Sequence, residues 1–169
     1  NEEKIISGEN TVITIEKKYI ITSKNVVLLR KENKFFSDSF TKIKNTTNNS
    51  YYTAEKFRYL IKKKLLRGAR VSLQSEDGDQ YFFEDVFVNL ETNEINGKDF
   101  EASFDNSTFG KDDNEPRMKG NKAYSNNNKT IVSNGIFTTC KKREDQKCPP
   151  WSVEAREVEH NKNKKIIYY

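Results

Sequence analysis

Clusters of turn-forming residues divide the chain at even intervals of about 15 residues. They contain Asn, Gly, Ser, Asp and Lys, and such residues favour turns because they tolerate unusual backbone angles or bond to nearby backbone groups. Runs rich in Val, Ile, Phe, Tyr and Thr lie between them, and these residues suit a pleated, half-buried surface. The clusters are at 16–18, 31–33, 45–50, 62–64, 76–79, 91–93, 105–119, 126–128, 141–150 and 161–163. A chain divided in this way is restricted to short segments that fold back on one another.

Apolar and polar residues alternate within the runs. Ile13 and Ile15 flank Thr14, and Val71 and Leu73 flank Ser72. A period of two places one face of a strand against a core and the other in water. Only 54–66 has the composition of a helix, and we favour a strand there because it shares a pattern with runs that cannot be helical.

A four-residue pattern recurs along the chain. It consists of a small or apolar residue, a charged residue, any residue and then a large apolar residue, and it occurs at 37–40, 54–57, 83–86 and 155–158. The recurrence of this pattern along the chain predicts stacked hairpin units. Each unit has a single apolar face, so neighbouring units must stack and fold over to cover it.

These patterns predict an all-β fold, an elongated and folded-over antiparallel β-jellyroll of about ten strands. Strands of about ten residues would each span roughly 33 Å. The ends of such a sheet carry unpaired backbone groups, which can accept a further strand from the same or another chain.

Composition agrees with a thin architecture in a single domain, 1–169. Of the 169 residues, 34% are hydrophobic and 33% are charged, which is little apolar material for a thick core. The net charge of +5 comes from dispersed basic residues, whereas nucleic-acid binding favours a continuous basic stripe with aromatic platforms. No window approaches the ~18 apolar residues of a membrane helix, and the first residues are not those of a signal peptide.

The sequence contains no catalytic constellation that we recognise, and we expect no enzyme activity and no cofactor. It has no Gly-rich phosphate loop, nucleophile elbow or His-Glu-x-x-His helix. The single histidine, His160, lies at the end of a predicted strand and is interpreted as a surface residue. The acidic residues around Gly78 lack the distal Glu of a calcium loop and are interpreted as a solvated turn. We therefore predict no metal site.

The two cysteines, Cys140 and Cys148, lie in the stretch that also contains Pro149, Pro150 and the only Trp, Trp151. In an oxidising compartment a bond between them would close a loop of about nine residues, worth roughly 2.5 kcal/mol in the chain-entropy model. One or both could instead pair with cysteines of a longer protein. The two prolines cannot continue a ladder, so they end the loop and direct Trp151 back to the apolar lining.

The stretch 135–160 resembles the end of the N-terminal domain in the family of lipopolysaccharide-assembly outer-membrane proteins (LptD, or organic solvent tolerance proteins). The motifs that carry the resemblance are Gly-x-Phe-Thr-Thr-Cys at 135–140, Pro-Trp-Ser-Val-x-Ala at 150–155 and Val-x-His at 158–160. The earlier repeats at 54–57 and 68–71 resemble the OstA-like units shared with the periplasmic bridge proteins LptA and LptC.

The resemblance implies a β-jellyroll at the periplasmic face of the outer membrane of a Gram-negative bacterium, preceding a transmembrane β-barrel that lies outside this sequence. It implies lipopolysaccharide transport, with acyl chains along an apolar groove and sugars outside. It also implies an LptA-like bridge protein and, through the barrel, an LptE-like lipoprotein as partners. In the family, the cysteine at the position of Cys140 ties the jellyroll to the barrel, and a local bond to Cys148 is the rival pairing.

Under this interpretation, alternate apolar residues line the groove and one edge strand binds the partner. The expected lining is Ile13, Ile15, Val26, Leu28, Phe40, Phe57, Tyr59, Val71, Leu73, Val86, Val88, Phe100, Phe137, Val153 and Val158. The expected partner edge is Val12, Ile13, Thr14 and Ile15. The alternative is a structural or adhesive β-repeat protein that uses its sheet edges to polymerise and has no affinity for lipids.

Overall fold

A computed structural model describes residues 3–106, 114–141 and 150–169. The described residues form one antiparallel sheet of 15 strands, without helices and not closed into a barrel. The strands are β1 (Lys4–Ser7), β2 (Thr11–Ile15), β3 (Tyr19–Ser23), β4 (Val26–Leu29), β5 (Lys34–Ser37), β6 (Thr41–Asn45), β7 (Tyr51–Ala54), β8 (Lys56–Leu60), β9 (Leu65–Gln74), β10 (Gln80–Asn89), β11 (Glu94–Ser103), β12 (Arg117–Ser125), β13 (Lys129–Thr138), β14 (Val153–Asn161) and β15 (Ile166–Tyr168). The all-β, jellyroll-like fold is as the turn spacing predicts, and the segment 54–66 is strand and turn. Among the described residues, no helix has the length and apolar character needed to cross a membrane.

The sheet divides at β9 into two layers. The first half of β9 pairs with β8, and from there the order continues through β5 and β4 to β1. The second half pairs with β7, and that branch continues through β6 and β3 to β2. We call the layer that contains β8 layer A and the layer that contains β7 layer B. The later strands, β10 to β14, contribute one half to each layer.

We call each run of the chain from the turns of one layer to the turns of the other a passage. The strand count exceeds the predicted ten because the first four passages leave the strand conformation where they cross between the layers. β1 and β2, β3 and β4, β5 and β6, and β7 and β8 are each two short strands of one passage. From β9 to β14 the chain crosses without leaving the strand conformation, and these six strands have 9 or 10 residues. The predicted passage length therefore holds in the second half of the chain.

The four-residue pattern marks the line along which the sheet folds. In β10, Phe83 and Val86 both point inward, although three positions separate them, and the two residues between them lie outside. β9 and β11 repeat this arrangement, with Arg70 and Asp99 in left-handed backbone conformation at φ 47° and 50°. Such a residue shifts the alternation by one position, as in a bulge, so that both halves of the strand direct their apolar side chains to the same interior. We call this row of kinks the fold line.

The turns lie opposite the fold line and form two lips. The lip of layer A contains the turns 30–33, 61–64, 90–93, 126–128 and 162–165, and the lip of layer B contains 16–18, 46–50 and 75–79. The predicted turn clusters coincide with these turns, except that 105–119 extends into β12, which begins at Arg117; the parts of clusters at 107–113 and 142–149 lie outside the described residues. Asn33, Asn49 and Asn93 adopt left-handed backbone in them, which Asn tolerates better than most residues.

Candidate functional site

The interior between the layers contains most of the residues expected to line a groove. Nine of them are buried, and Ile13, Ile15 and Leu28 are partly buried and pack against the core. Leu73 and Val153 are half-buried. The buried nine are Val26, Phe57, Tyr59, Val71, Val86, Val88, Phe100, Phe137 and Val158. Alternation therefore predicted the inward side of the strand at these positions, while the contact of these residues with a lipid stays a prediction.

Phe40 is the exception, because it is 57% exposed and does not line the interior. It lies in the connection between β5 and β6, where the chain passes from layer A to layer B. Four positions separate the inward residues Ser37 and Thr41 there, as they do Ser7 and Thr11 between β1 and β2, whereas three separate them at the other kinks. The longer connection turns Phe40 outward. Thr41 takes the inward place and lies 2.7 Å from the hydroxyl of Ser23.

Side chains fill the interior near the fold line. Phe57, Phe100, Met118 and Val158 are each less than 2% exposed. Aromatic rings contact one another, with the centres of Phe83 and Phe100 5.2 Å apart. In this conformation the described residues pack as a protein core does, so a lipid chain could enter only if the layers separated.

Polar contacts join the two lips near the N-terminal end. Glu16 of layer B forms an ion pair with Lys64 of layer A at 2.9 Å. Lys18 Nζ and Tyr19 Oη both donate to Asn93 Oδ1 at 3.2 Å. Burial, and next the charge of Glu16, raise the pKa of Tyr19 to about 12. These bonds hold the lips together here. On the opposite side, at the fold line, continuous backbone joins the two layers.

A polar cleft of about 420 Å³ lies between the lips. Layer B contributes Asn45, Asn48, Ser50 and Ser75 to its walls, and layer A contributes Asn93, Ser125 and Asn126. Leu73 and Ile95 are at its apolar side. The cleft thus changes from polar at the lips to apolar toward the interior, which is the order of polarity in an amphiphile.

A charged cluster spans the lips at the other end of this cleft. The carboxylate of Asp79, in layer B, accepts hydrogen bonds from Tyr81 Oη at 3.0 Å and from the backbone N–H of Asp105 at 2.8 Å. Lys162, in layer A, donates to Ser125 Oγ at 2.9 Å and to the backbone carbonyl of Asn126 at 2.7 Å. Burial lowers the pKa of Lys162, and the charge of Asp79 opposes that shift. Burial of a lysine is costly, and its two acceptors offset part of that cost.

His160 belongs to the same cluster and is buried, so its interpretation as a surface residue was wrong. It is 3% exposed, and its ring meets that of Phe104 edge-on with centres 4.9 Å apart. Burial lowers the pKa of His160; Asp79 raises it and Lys162 lowers it further. Alternation from Val158 would have found the inward position of His160, whereas nothing in the sequence indicates that the charge of Asp79 acts on Lys162.

The predicted partner edge is an edge strand of layer B. Among the described strands β2 pairs with β3 alone. The carbonyl of Ile15 accepts from the N–H of Lys18 at 2.9 Å and so points toward the β3 side of the hairpin. The backbone groups of one residue in an antiparallel strand point the same way and alternate along it. Those of Ile13 therefore also face β3, and those of Val12 and Thr14 face outward.

The region of the cysteines is described in part. The backbone carbonyl of Cys140 accepts from the guanidinium of Arg117, and Cys148 lies outside the described residues. The disulfide pairing of Cys140 and Cys148 thus stays a prediction. Trp151 is 46% exposed and meets Phe137 edge-on at 6.4 Å, so it caps the lining without being buried in it. Within the described ranges, no group of three or more His, Cys, Asp or Glu residues could hold a metal ion.

No protein-family model matches the chain, and no curated protein matches it. Its resemblance to the lipopolysaccharide-assembly family thus stays an interpretation of the motifs at 135–160.

Proposed function

We propose that the chain carries lipopolysaccharide at the periplasmic face of a bacterial outer membrane. Acyl chains would lie between the two layers, and the sugars would remain outside the lips. The chain would receive its cargo from an LptA-like bridge protein through β2 and guide it toward a β-barrel with an LptE-like partner. The choice of lipopolysaccharide among amphiphiles rests on the motifs at 135–160, and catalysis has no part in the proposal.

One observation carries the proposal: continuous backbone joins two apolar layers along one side, whereas within the described residues side-chain contacts join them on the other side. Separating the lips breaks the Glu16–Lys64 pair and the bonds of Lys18 and Tyr19 to Asn93. Exposed ion pairs are worth about 0–1 kcal/mol each. Sheltering one methylene from water is worth about 0.8 kcal/mol. An acyl chain of ordinary length therefore outweighs these polar contacts, although it must also displace packed side chains.

Site-specific photo-crosslinking tests the proposal. A photoreactive residue at Phe57 or Val86, which are both 1% exposed, would label lipopolysaccharide only if acyl chains enter the interior. The matched control is Arg58, the neighbour of Phe57 in β8, which is exposed on the outer face. We expect label at the two inward positions and none at the outward one. Label at Arg58 alone, or none anywhere while the protein remains folded, would contradict lipid carriage and favour the adhesive alternative.

A further inference from the structure

A shallow groove crosses the outer face of layer B, on the side away from the interior. Its volume is about 430 Å³, and its floor is the backbone of β9, β10 and β11. The outward side chains along it form two rows set by the strand register. One row is Tyr51, Gln74, Gln80 and Ser103, and the other is Thr53, Ser72, Phe82 and Glu101. Serine in the middle of the face leaves room between the larger side chains, and this makes the surface concave.

Two aromatic rings and two amides face this groove. Tyr51 is 50% exposed, and Phe82 lies two strands away and two positions along, a diagonal of about 12 Å from ordinary sheet spacings. Gln74 and Gln80 are directly paired and exposed between them. Each amide offers a carbonyl acceptor and two N–H donors. Flat rings combined with amides and hydroxyls suit a ligand with apolar ring faces and many hydroxyl groups.

Lysine side chains flank the groove at both ends. Lys44 and Lys42 of β6 are directly opposite Tyr51 and Thr53, and Lys119 of β12 is opposite Glu101. Lys44 Nζ lies 5.4 Å from the centre of the Tyr51 ring. Within the described residues these three lysines form no ion pair with a carboxylate. Of the described lining residues, Glu101 is the one carboxylate in the groove, whereas three lysines flank the groove, so positive charge predominates at its ends and complements a ligand with negative groups there.

We propose that this groove binds an acidic oligosaccharide. The sugar rings would stack on Tyr51 and Phe82, and the hydroxyls would bond to Gln74, Gln80 and the serines. The carboxylates or phosphates would meet the flanking lysines. A protein partner is a poorer fit, because a stable interface needs about 800 Å² per partner with a well-packed apolar centre. The groove is on the outer face of layer B, so it does not depend on lipid carriage in the interior.

Titration calorimetry of the whole chain with two tetrasaccharides tests this site. Tetragalacturonate supplies carboxylates, and maltotetraose is neutral. We expect the acidic sugar to bind about tenfold or more tightly than the neutral one, and to bind more weakly as salt is added, because the lysine contribution is screened. Tyr51→Ala or Phe82→Ala should weaken binding about tenfold through loss of the stacked ring.

Phe87→Ala is the matched control. Phe87 is 39% exposed on the outer face of layer A and also has a cation beside it, with the guanidinium of Arg67 5.1 Å from its ring centre. This variant should bind the acidic sugar as the unmodified chain does. Absence of binding, equal binding of both sugars, or an equal loss in Phe87→Ala would overturn the proposal. If Tyr51→Ala does not fold, amide chemical shifts in the unmodified chain decide instead: the sugar must shift Ser72 and Gln74 and leave Phe87 unchanged.

Discussion

Gly97 in β11 allows an aromatic ring to lie directly against the strand at the fold line. A Cβ atom at this position would be 2.1 Å from Cδ1 of Phe83, and Phe83 is only 2% exposed. Packing against Phe100 restricts how far this ring can move. A small residue here is therefore a condition for folding the sheet over.

Gly97→Ala should lower the free energy of unfolding by about 1–3 kcal/mol, the usual cost of overpacking a core. Gly8→Ala is the control, since a Cβ at position 8 would have nothing within 4 Å. Urea unfolding of both variants measures the difference. Equal stabilities for the two variants would show that Phe83 can repack.

His160 makes stability depend on pH near neutrality. Burial lowers its pKa in the folded chain below the ordinary 6.5 that it has when unfolded. As the pH falls through 6.5 the unfolded chain takes up a proton that the folded chain resists. The unfolded state then binds more protons, so stability decreases as the pH decreases. The effect is confined to the interval below 6.5, down to the folded pKa.

His160→Gln should remove this part of the acid sensitivity. Between roughly pH 7.5 and 5.5 the unmodified chain should lose stability relative to the variant, by at most about 1.4 kcal/mol per pH unit for one proton. Urea unfolding over this range measures the slope, and since His160 is the only histidine no other imidazole contributes. Parallel curves for the two proteins would mean that His160 titrates alike in both states.

At the scale of elements, the kinks at the fold line shift the alternation of each long strand, so that both of its halves direct their apolar side chains to the same interior. Left-handed residues recur in alternate strands, at Arg70 in β9, Asp99 in β11 and Asn134 in β13. Arg70 also pairs with Glu55, in the bend between β7 and β8, at 3.1 Å and with Glu84 of β10 at 3.3 Å, so it joins neighbouring kinks along the fold line. These pairs are exposed, and their contribution is to align neighbouring kinks more than to add stability.

Thr14→Pro in the edge strand β2 should abolish association with an LptA-like protein while leaving the chain folded. The N–H of Thr14 faces outward, and proline removes this donor without touching the bonds to β3. Thr14→Val is the matched control, because it keeps the N–H and the shape of the side chain. Binding by the two variants can be compared by calorimetry, with thermal unfolding as the check on folding.

Ile13→Pro should instead destabilise the chain, because the N–H of Ile13 points toward β3. If Thr14→Pro bound the bridge protein as Thr14→Val does, strand addition at β2 would be wrong, whatever the interior carries.

At the scale of the whole molecule, the two layers are connected more strongly at the fold line than at the lips. Continuous strands cross the fold line, whereas side chains alone join the lips near Glu16, Lys64 and Asn93. If the layers part, we therefore expect them to separate at the lips and to stay joined at the fold line. Such an opening is the motion that the proposed lipid carriage requires.

Lys64→Ala should speed lipid labelling of the photoreactive Val86 variant, because it removes the ion pair with Glu16 across the lips. Lys34→Ala is the control, since Lys34 pairs with Glu32 inside layer A at 2.6 Å. Added salt should reduce the difference between the unmodified chain and Lys64→Ala by screening the same pair. Equal labelling rates for the two lysine variants would contradict opening at the lips.

The order of neighbouring residues along the chain determined much of the strand and turn pattern of this protein. Turn residues and two-residue alternation are properties of adjacent positions, and they predicted the strands, the turns and the inward side of residues such as Phe57 and Val158. The four-residue pattern was also visible, although its meaning as a kink was not, because the shift in alternation depends on the backbone of Arg70 and Asp99.

Only the tertiary structure decided which distant residues meet. The approach of His160 and Lys162 to Asp79 and the Glu16–Lys64 contact between the lips depend on how the two layers close. The groove of Tyr51 and Phe82 depends on strand register, which brings side chains together across β7, β9 and β10. Such contacts arise from pairing between segments far apart in the chain, and no period within a single segment encodes them.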